Sequence, residues 1–190
     1  SSRGDEMKVN ATKEQVASIL NDYKNGTAID PNTGELLFGD LPIIFARAEI
    51  MSNIYQELEK LVGESASGVM KRLGRSYGEK FLDLIAEEQE GLINNRELLY
   101  QFVCAETQAI GWGKISIEDS GDIITISSID GLASGRTASP GKRSHSMDSY
   151  FLGYFEGFFS KLDSVPYSSE EPECVAKGDG MCRLVFRKQP

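Results

Sequence analysis

The chain is expected to fold as an α/β protein of the α+β type, with antiparallel strands packed against several helices. Three observations predict this. Apolar residues recur at three- and four-residue steps over long stretches, the pattern of amphipathic helices. Two segments alternate with period two around Ser120-Gly121-Asp122, the pattern of a β-hairpin. The chain closes with an aromatic helix and a second hairpin that carries Cys174 and Cys182. With 190 residues, 40% of them hydrophobic and 26% charged, one domain with its own core is expected.

In chain order, Ser1 to Glu6 (SSRGDE) precede Met7 and read as a remnant outside the fold. Residues 7–26 are expected to form a peripheral N-terminal helix and residues 27–190 the main domain. Thr12 is a good N-cap for a helix from Lys13 to about Tyr23, which Asn25-Gly26 would end. Asp30-Pro31-Asn32-Thr33-Gly34 is a turn signal, and Glu35 to Phe38 reads as a short strand. From Pro42, the spacing of Ile44, Phe45, Ala48, Met51, Ile54, Tyr55, Leu58 and Leu61 predicts a long helix stopping at Gly63. A second runs from about Ser65 to Glu87, with Gly74 and Gly78 four apart, a spacing that suits close helix packing.

Asn95 would cap a third helix, Arg96 to about Ile110, closed by Gly111-Trp112-Gly113. Cys104, in an otherwise apolar part of it, reads as a small buried residue. Strands Ile115–Asp119 and Ile123–Ser128 make the first hairpin. Gly131 to Ser146 (GLASGRTASPGKRSHS) is small, polar and basic, and reads as an exposed, mobile connection. The last helix carries Tyr150, Phe151, Tyr154, Phe155, Phe158, Phe159 and Leu162, with Gly153 and Gly157 on one side. Tyr150, Phe151, Tyr154 and Phe155, with Trp112, are the candidate walls of a pocket for a small apolar or aromatic ligand.

A net charge of −9 disfavours nucleic acid and anionic membrane surfaces as partners. No apolar run approaches the length of a membrane span, and a cytoplasmic location is expected. There is no Gly-x-Gly-x-x-Gly between strand and helix, and the single histidine, His145, forms no nucleophile–base set. No catalytic residue is assigned, and binding is favoured over enzymatic activity.

If the last hairpin pivots on Gly178, then Cys174 and Cys182, each four residues from it, lie opposite one another, and Glu171 adds a carboxylate nearby. Two thiols and a carboxylate suit tetrahedral zinc, with a fourth ligand to be found. A pair of reduced cysteines in a small core and a cross-strand disulfide are the other readings.

Gly153-Tyr154-x-x-Gly157 on a helix, followed by Glu171-x2-Cys174-x3-Gly178-Asp179-x2-Cys182, resembles the C-terminal signature of the 4-vinyl reductase domain family. That family is similar in fold to subunits of the TRAPP vesicle-tethering complex and includes sensor domains that respond to aromatic compounds. The resemblance implies a mixed α/β fold, an apolar pocket, and a homodimer or partner protein through which binding is sensed. It also implies a structural zinc at Glu171, Cys174 and Cys182, plus a cysteine about two helical turns before Glu156. That place falls at Asp148, a harder ligand than a thiolate, with His145 as its alternate. The expected function is thus non-catalytic small-molecule binding with a structural zinc. The rivals are a TRAPP-like assembly module and a tetrapyrrole-handling protein.

Overall fold

The computed structural model describes residues 6–190, so that Ser1 to Asp5 of the expected remnant lie outside the described residues. The first element is a strand, β1 (Met7–Asn10), which turns Val9 into the core. Residues 7–26 therefore hold a strand as well as the expected helix, which buries none of its residues. Their first four form an edge of the central sheet.

Helix α1 (Lys13–Gly26) starts as expected, at a reciprocal cap: Gln15 N donates to Thr12 Oγ1 at 3.1 Å, and Thr12 N donates to Gln15 Oε1 at 2.8 Å. Strands β2 (Thr27–Ile29), β3 (Leu36–Phe38) and β4 (Leu41–Ile43) form a small antiparallel sheet. The helix expected from Pro42 begins only with α2 (Ile50–Val62). Leu41 to Ile43 pair with β3 instead, and Pro42, opposite Leu37, sits on an edge strand, where its missing N–H is tolerated. Ile44 and Phe45 match a helical spacing, yet they stand 83% and 82% exposed outside any helix.

Gly63, at φ +59°, ends α2, and α3 (Ala66–Glu88) follows. A short turn of helix, α4 (Glu90–Ile93), was not anticipated. Helix α5 (Arg96–Ala109) is capped by Asn95, whose Oδ1 accepts from Leu98 N at 3.1 Å. Then come β5 (Ser116–Asp119), β6 (Ile123–Ser128), α6 (Ala133–Thr137), α7 (Ser149–Asp163), β7 (Tyr167–Glu173) and β8 (Cys182–Lys188).

The main sheet is antiparallel throughout, in the order β1-β5-β6-β8-β7. Ile117, Ile124, Ile126, Leu184 and Phe186 are buried on one face, while Lys8, Glu118 and Arg187 belong to the other. Onto the apolar face packs α7, whose Phe159 ring lies 5.2 Å from that of Phe186. Helix α3 covers α7 from outside, so α7 is buried on both sides. That explains its nearly all-round apolar composition.

The two glycine pairs meet in this α3–α7 contact. A Cβ on Gly74 or Gly78 would fall 1.9 Å from the carbonyl oxygen of Tyr150 or Tyr154. One on Gly153 or Gly157 would fall 1.8 or 2.4 Å from that of Lys71 or Arg75. Glu156, buried in the same seam, is held by Lys71 at 2.7 Å and Arg75 at 3.0 Å. At the other end of α7, Arg96 reaches Asp119 of β5 at 2.7 Å and Asp163 at 2.6 Å, tying helix and sheet together.

The Gly131–Ser146 segment is not a solvated linker. Leu132, Ala133, Ser134 and Gly135 are buried around α6, and only its later part reaches the surface. Both its arginines are engaged: Arg136 donates to the carbonyls of Gly111 and Gly131, and Arg143 pairs with Glu59.

Candidate functional site

Three parts of the chain converge below the N-terminal end of α7. Asp148 occupies the cap position of that helix, but its carboxylate makes no capping bond and turns inward. Its Oδ1 accepts from Gly135 N at 2.8 Å, and its Oδ2 lies 2.9 Å from Cys182 Sγ and 3.7 Å from Cys174 Sγ. Glu171 comes from β7 at a break in the pairing with β8, between Glu170 and Glu173. Such a bulge re-aims a side chain, and here Glu171 Oε2 accepts from Asp148 N at 3.3 Å.

The hairpin differs in detail from the expected tight turn. A single 3-10 turn, Val175–Lys177, leads into Gly178 at φ +98°. Asp179 then closes the loop by accepting from Cys174 N at 2.8 Å. The register Glu173↔Arg183, carried one step further, sets Cys174 opposite Cys182. Their sulfurs stand 3.9 Å apart as free thiols, which excludes the disulfide reading for this structure. Two thiolates on a tetrahedral zinc, each at about 2.3 Å, would be about 3.8 Å apart.

One ligand atom from each of Asp148, Glu171, Cys174 and Cys182 lies within 4.8 Å of all the others, a group able to hold a metal ion. The electrostatics fit a cation. Four acidic groups are crowded together, and among the described residues no Lys, Arg or His pairs with any of them. Burial pushes the Glu171 carboxyl up to about 12, with the Asp148 carboxylate as the next cause. Burial likewise raises Asp148, while a hydrogen bond from Cys182 is the main cause lowering the Cys174 thiol to about 7. Glu171 Oε1 is buried without a hydrogen-bond partner, a lone pair facing no donor.

Gly135 was not singled out from the sequence, yet it belongs to this group. A Cβ there would fall 2.8 Å from Asp148 Oδ2, 3.1 Å from Cys182 Sγ and 3.3 Å from Cys174 Sγ. The available signal was Ser134-Gly135 inside a segment of small residues, which looked like a linker. His145, the alternate fourth ligand, is placed elsewhere: it pairs with Glu59 and stacks on Tyr55 at 5.9 Å.

The five expected pocket residues are brought together, but as packed core. Trp112 meets Phe151 and Tyr154 edge-on at 5.0 Å and Tyr150 at 6.1 Å, while Tyr154 meets Phe155 at 5.2 Å. Phe151 and Phe155 are fully buried.

An open cleft with aromatic walls lies one side chain further out. A cleft of about 640 Å³ runs between α1, the β3–β4 turn, the end of α3, and α5. Tyr23, Phe38, Phe81 and Phe102 line it. Phe81 stands 5.8 Å from Tyr154, so the cleft floor leans on the aromatic core. Its inner polar group is Glu106, nine-tenths buried, whose Oε1 accepts from Tyr23 Oη at 3.0 Å. An acid within an otherwise apolar helical stretch was the sequence signal for this residue.

Burial raises the Glu106 carboxyl from 4.5 to about 7. Because the folded value lies above the unfolded one, its contribution to stability is fully present below about pH 4.5 and is lost as pH rises through about 7. Wild type should therefore lose about 2.5 kcal/mol relative to Glu106→Gln between pH 5 and pH 8. Urea unfolding of both proteins at the two pH values measures it, and parallel pH profiles would show that Glu106 is not so buried.

Among the described residues, no helix is long and apolar enough to cross a membrane. No protein-family profile matches the chain, and no curated protein matches it in sequence. Solved structures do match it. The phenol-responsive sensory domain of the transcription activator PoxR, solved with phenol, superposes with a TM-score of 0.71 at 16% identity, over 93% of this chain and 92% of its own. A trafficking protein particle complex subunit 3 from Naegleria fowleri, covalently bound to palmitic acid, gives 0.56 at 10% identity, over 75% of this chain and 95% of its own. A vinyl-4-reductase family protein from Methanocaldococcus jannaschii overlaps at 0.47 and 13% identity, over 92% and 94% of the two chains. The chain has the fold of the PoxR sensory domain and of the trafficking subunit, the fold its C-terminal signature led one to expect.

Proposed function

We propose that this chain is a non-catalytic binding domain that senses a small, largely apolar molecule, and that zinc held by Asp148, Glu171, Cys174 and Cys182 staples it together. The observation that carries the binding reading is the cleft of about 640 Å³, walled by aromatic rings and containing one buried carboxyl group. Its size is that of ordinary small-molecule sites, and its composition, apolar walls with few polar groups, is theirs too. The likeness to a phenol-responsive domain supports the same reading at the level of fold.

The metal's task in this reading is architectural. It joins the start of α7 to the last hairpin, so that the helix against which the cleft floor rests is fixed at one end. Three free cysteines accord with a reducing, cytoplasmic setting. Ile44, Phe45, Leu61, Leu73 and Tyr77 expose large apolar side chains. That is the kind of surface a homodimer or partner protein covers, and it offers a route for the signal.

The same exposed side chains favour the assembly reading, in which the fold presents interaction surfaces and the cleft is incidental. Native mass spectrometry of the purified protein separates the two. A small molecule retained at one per chain, and exchangeable on dialysis, is the expected result. An empty, tight dimer that acquires no small molecule from a cell extract would overturn sensing in favour of assembly.

A further inference from the structure

The cleft has a charge as well as a shape. Its lining contains four acids, Asp22, Asp40, Glu88 and Glu106, and no lysine, arginine or histidine. None of the four is paired with a cation among the described residues. Three of these acids stand towards solvent, where a run of carboxylates alone would mean little. Glu106 is different, because it is nine-tenths buried among rings and only its Oε1 is hydrogen-bonded, to Tyr23. Its second oxygen has no protein partner among the described residues and is not fully buried, so it opens onto the cleft. A donor entering the cleft can meet that oxygen, and in a largely apolar surrounding a charged donor is held more strongly than a neutral one.

Four aromatic rings, those of Tyr23, Phe38, Phe81 and Phe102, line the same volume. Rings attract cations through their electron-rich faces, and the attraction grows when water is excluded. A neutral apolar ligand would use the walls but leave the carboxylate unmet, and an anion would be repelled by all four acids. An organic cation with an apolar body satisfies every one of these features.

We propose that the cleft takes a lipophilic ammonium compound, its apolar body against the four rings and its charged nitrogen against the free oxygen of Glu106. The inference rests on the binding reading above and adds the ligand's charge to it. Burial, which holds the free Glu106 carboxyl near neutrality, is what a bound ammonium would offset by favouring the carboxylate.

The test is calorimetric titration of the full chain at pH 7.5 with three probes of one shape: 4-phenylbutylamine, 4-phenylbutanol and 5-phenylpentanoate. The amine is expected to bind at least about tenfold more tightly than the alcohol, and the carboxylate not at all. In Glu106→Gln, which keeps an acceptor for Tyr23, amine affinity should fall to that of the alcohol, whose own affinity stays put. The amine-to-alcohol ratio in the native protein needs no variant, so the test survives if Glu106→Gln folds poorly. Equal binding of amine and alcohol would overturn the charge assignment and leave the binding reading intact. Failure of all three probes would overturn the assignment too, and the binding reading would then stand or fall on retained ligand in native mass spectrometry.

Discussion

Gly78→Ala is expected to destabilise the protein by about 3 kcal/mol, whereas Gly68→Ala, ten residues earlier in the same helix, is expected to stabilise it by up to about 1 kcal/mol. Both substitutions replace a poor helix former with the best one, and on propensity alone both should help. The surroundings decide the sign. A Cβ at Gly68 meets nothing within 4 Å, so only the propensity gain remains. A Cβ at Gly78 would lie 1.9 Å from the carbonyl oxygen of Tyr154 and 2.7 Å from its carbonyl carbon, and that obstacle is backbone, which no rotamer change removes.

To admit the methyl group, α3 would have to move off α7, loosening the contacts of Tyr154 and Phe158 with Phe81 that the close approach allows. Gly74, Gly153 and Gly157 hold the same relation to the facing helix, so alanine at any of them should act in the same direction. Urea denaturation of Gly78→Ala and Gly68→Ala side by side is the measurement. Two stabilised proteins would mean that the helices cross further apart than this seam requires.

This seam also shows how far residue patterns can be followed. Each glycine pair announced a close approach through its four-residue spacing, but nothing local says that Gly74 and Gly78 face Gly153 and Gly157 across the molecule. Elements with their own start and stop chemistry were the most legible. Thr12, Asn95 and Ser120-Gly121-Asp122 act within a few residues, and the helices and hairpin they predict are present. Where tertiary pairing overrides local pattern, legibility failed. The helix read from Pro42 begins on residues that pair as β4, with Ile44 and Phe45 exposed just beyond it, and the small residues of 131–135 look like linker because packing partners such as Asp148 and the two thiols lie elsewhere in the chain.

The candidate sites divide the same way. Glu171, Cys174 and Cys182 are close in sequence, and Asp148 entered through the resemblance; the four converge. The five aromatic residues expected as pocket walls lie packed on one another, and residues of this kind at helical spacing serve equally well as core. The cleft instead joins Tyr23 to Glu106, 83 residues apart, a pairing that only the fold brings about.

The largest chemical effect is expected at the candidate metal site. Protein purified without added metal should carry about one zinc per chain by elemental analysis, and removing it with a strong chelator should lower stability by about 4 kcal/mol. The figure is about that of a ligand held at roughly 1,000 times its dissociation constant; without the cation, Asp148 and Glu171, whose carboxyl pKa values burial raises, take up protons, and the bonds joining α7 to the hairpin are lost. For a chain of this size it corresponds to roughly 8–16 °C in Tm. Cys182→Ser should lose both the zinc and the chelator response, because Cys182 lies nearest the shared carboxylate oxygen and opens the strand that anchors the hairpin.

Asp148→Cys tests the unusual position itself. It exchanges a hard oxygen ligand for a thiolate at the start of α7, and thiolates hold zinc more firmly, so the variant should keep its metal at chelator concentrations that strip the wild type. Gly135 sets a condition on this result. Its N–H donates to the Asp148 carboxylate at 2.8 Å, and its missing Cβ leaves the space that a larger sulfur at position 148 would need. Gly135→Ala should therefore weaken metal retention in both backgrounds. A wild type that carries no zinc, and whose Tm is the same with and without chelator, would show that the four side chains are a hydrogen-bonded core with protonated carboxyls.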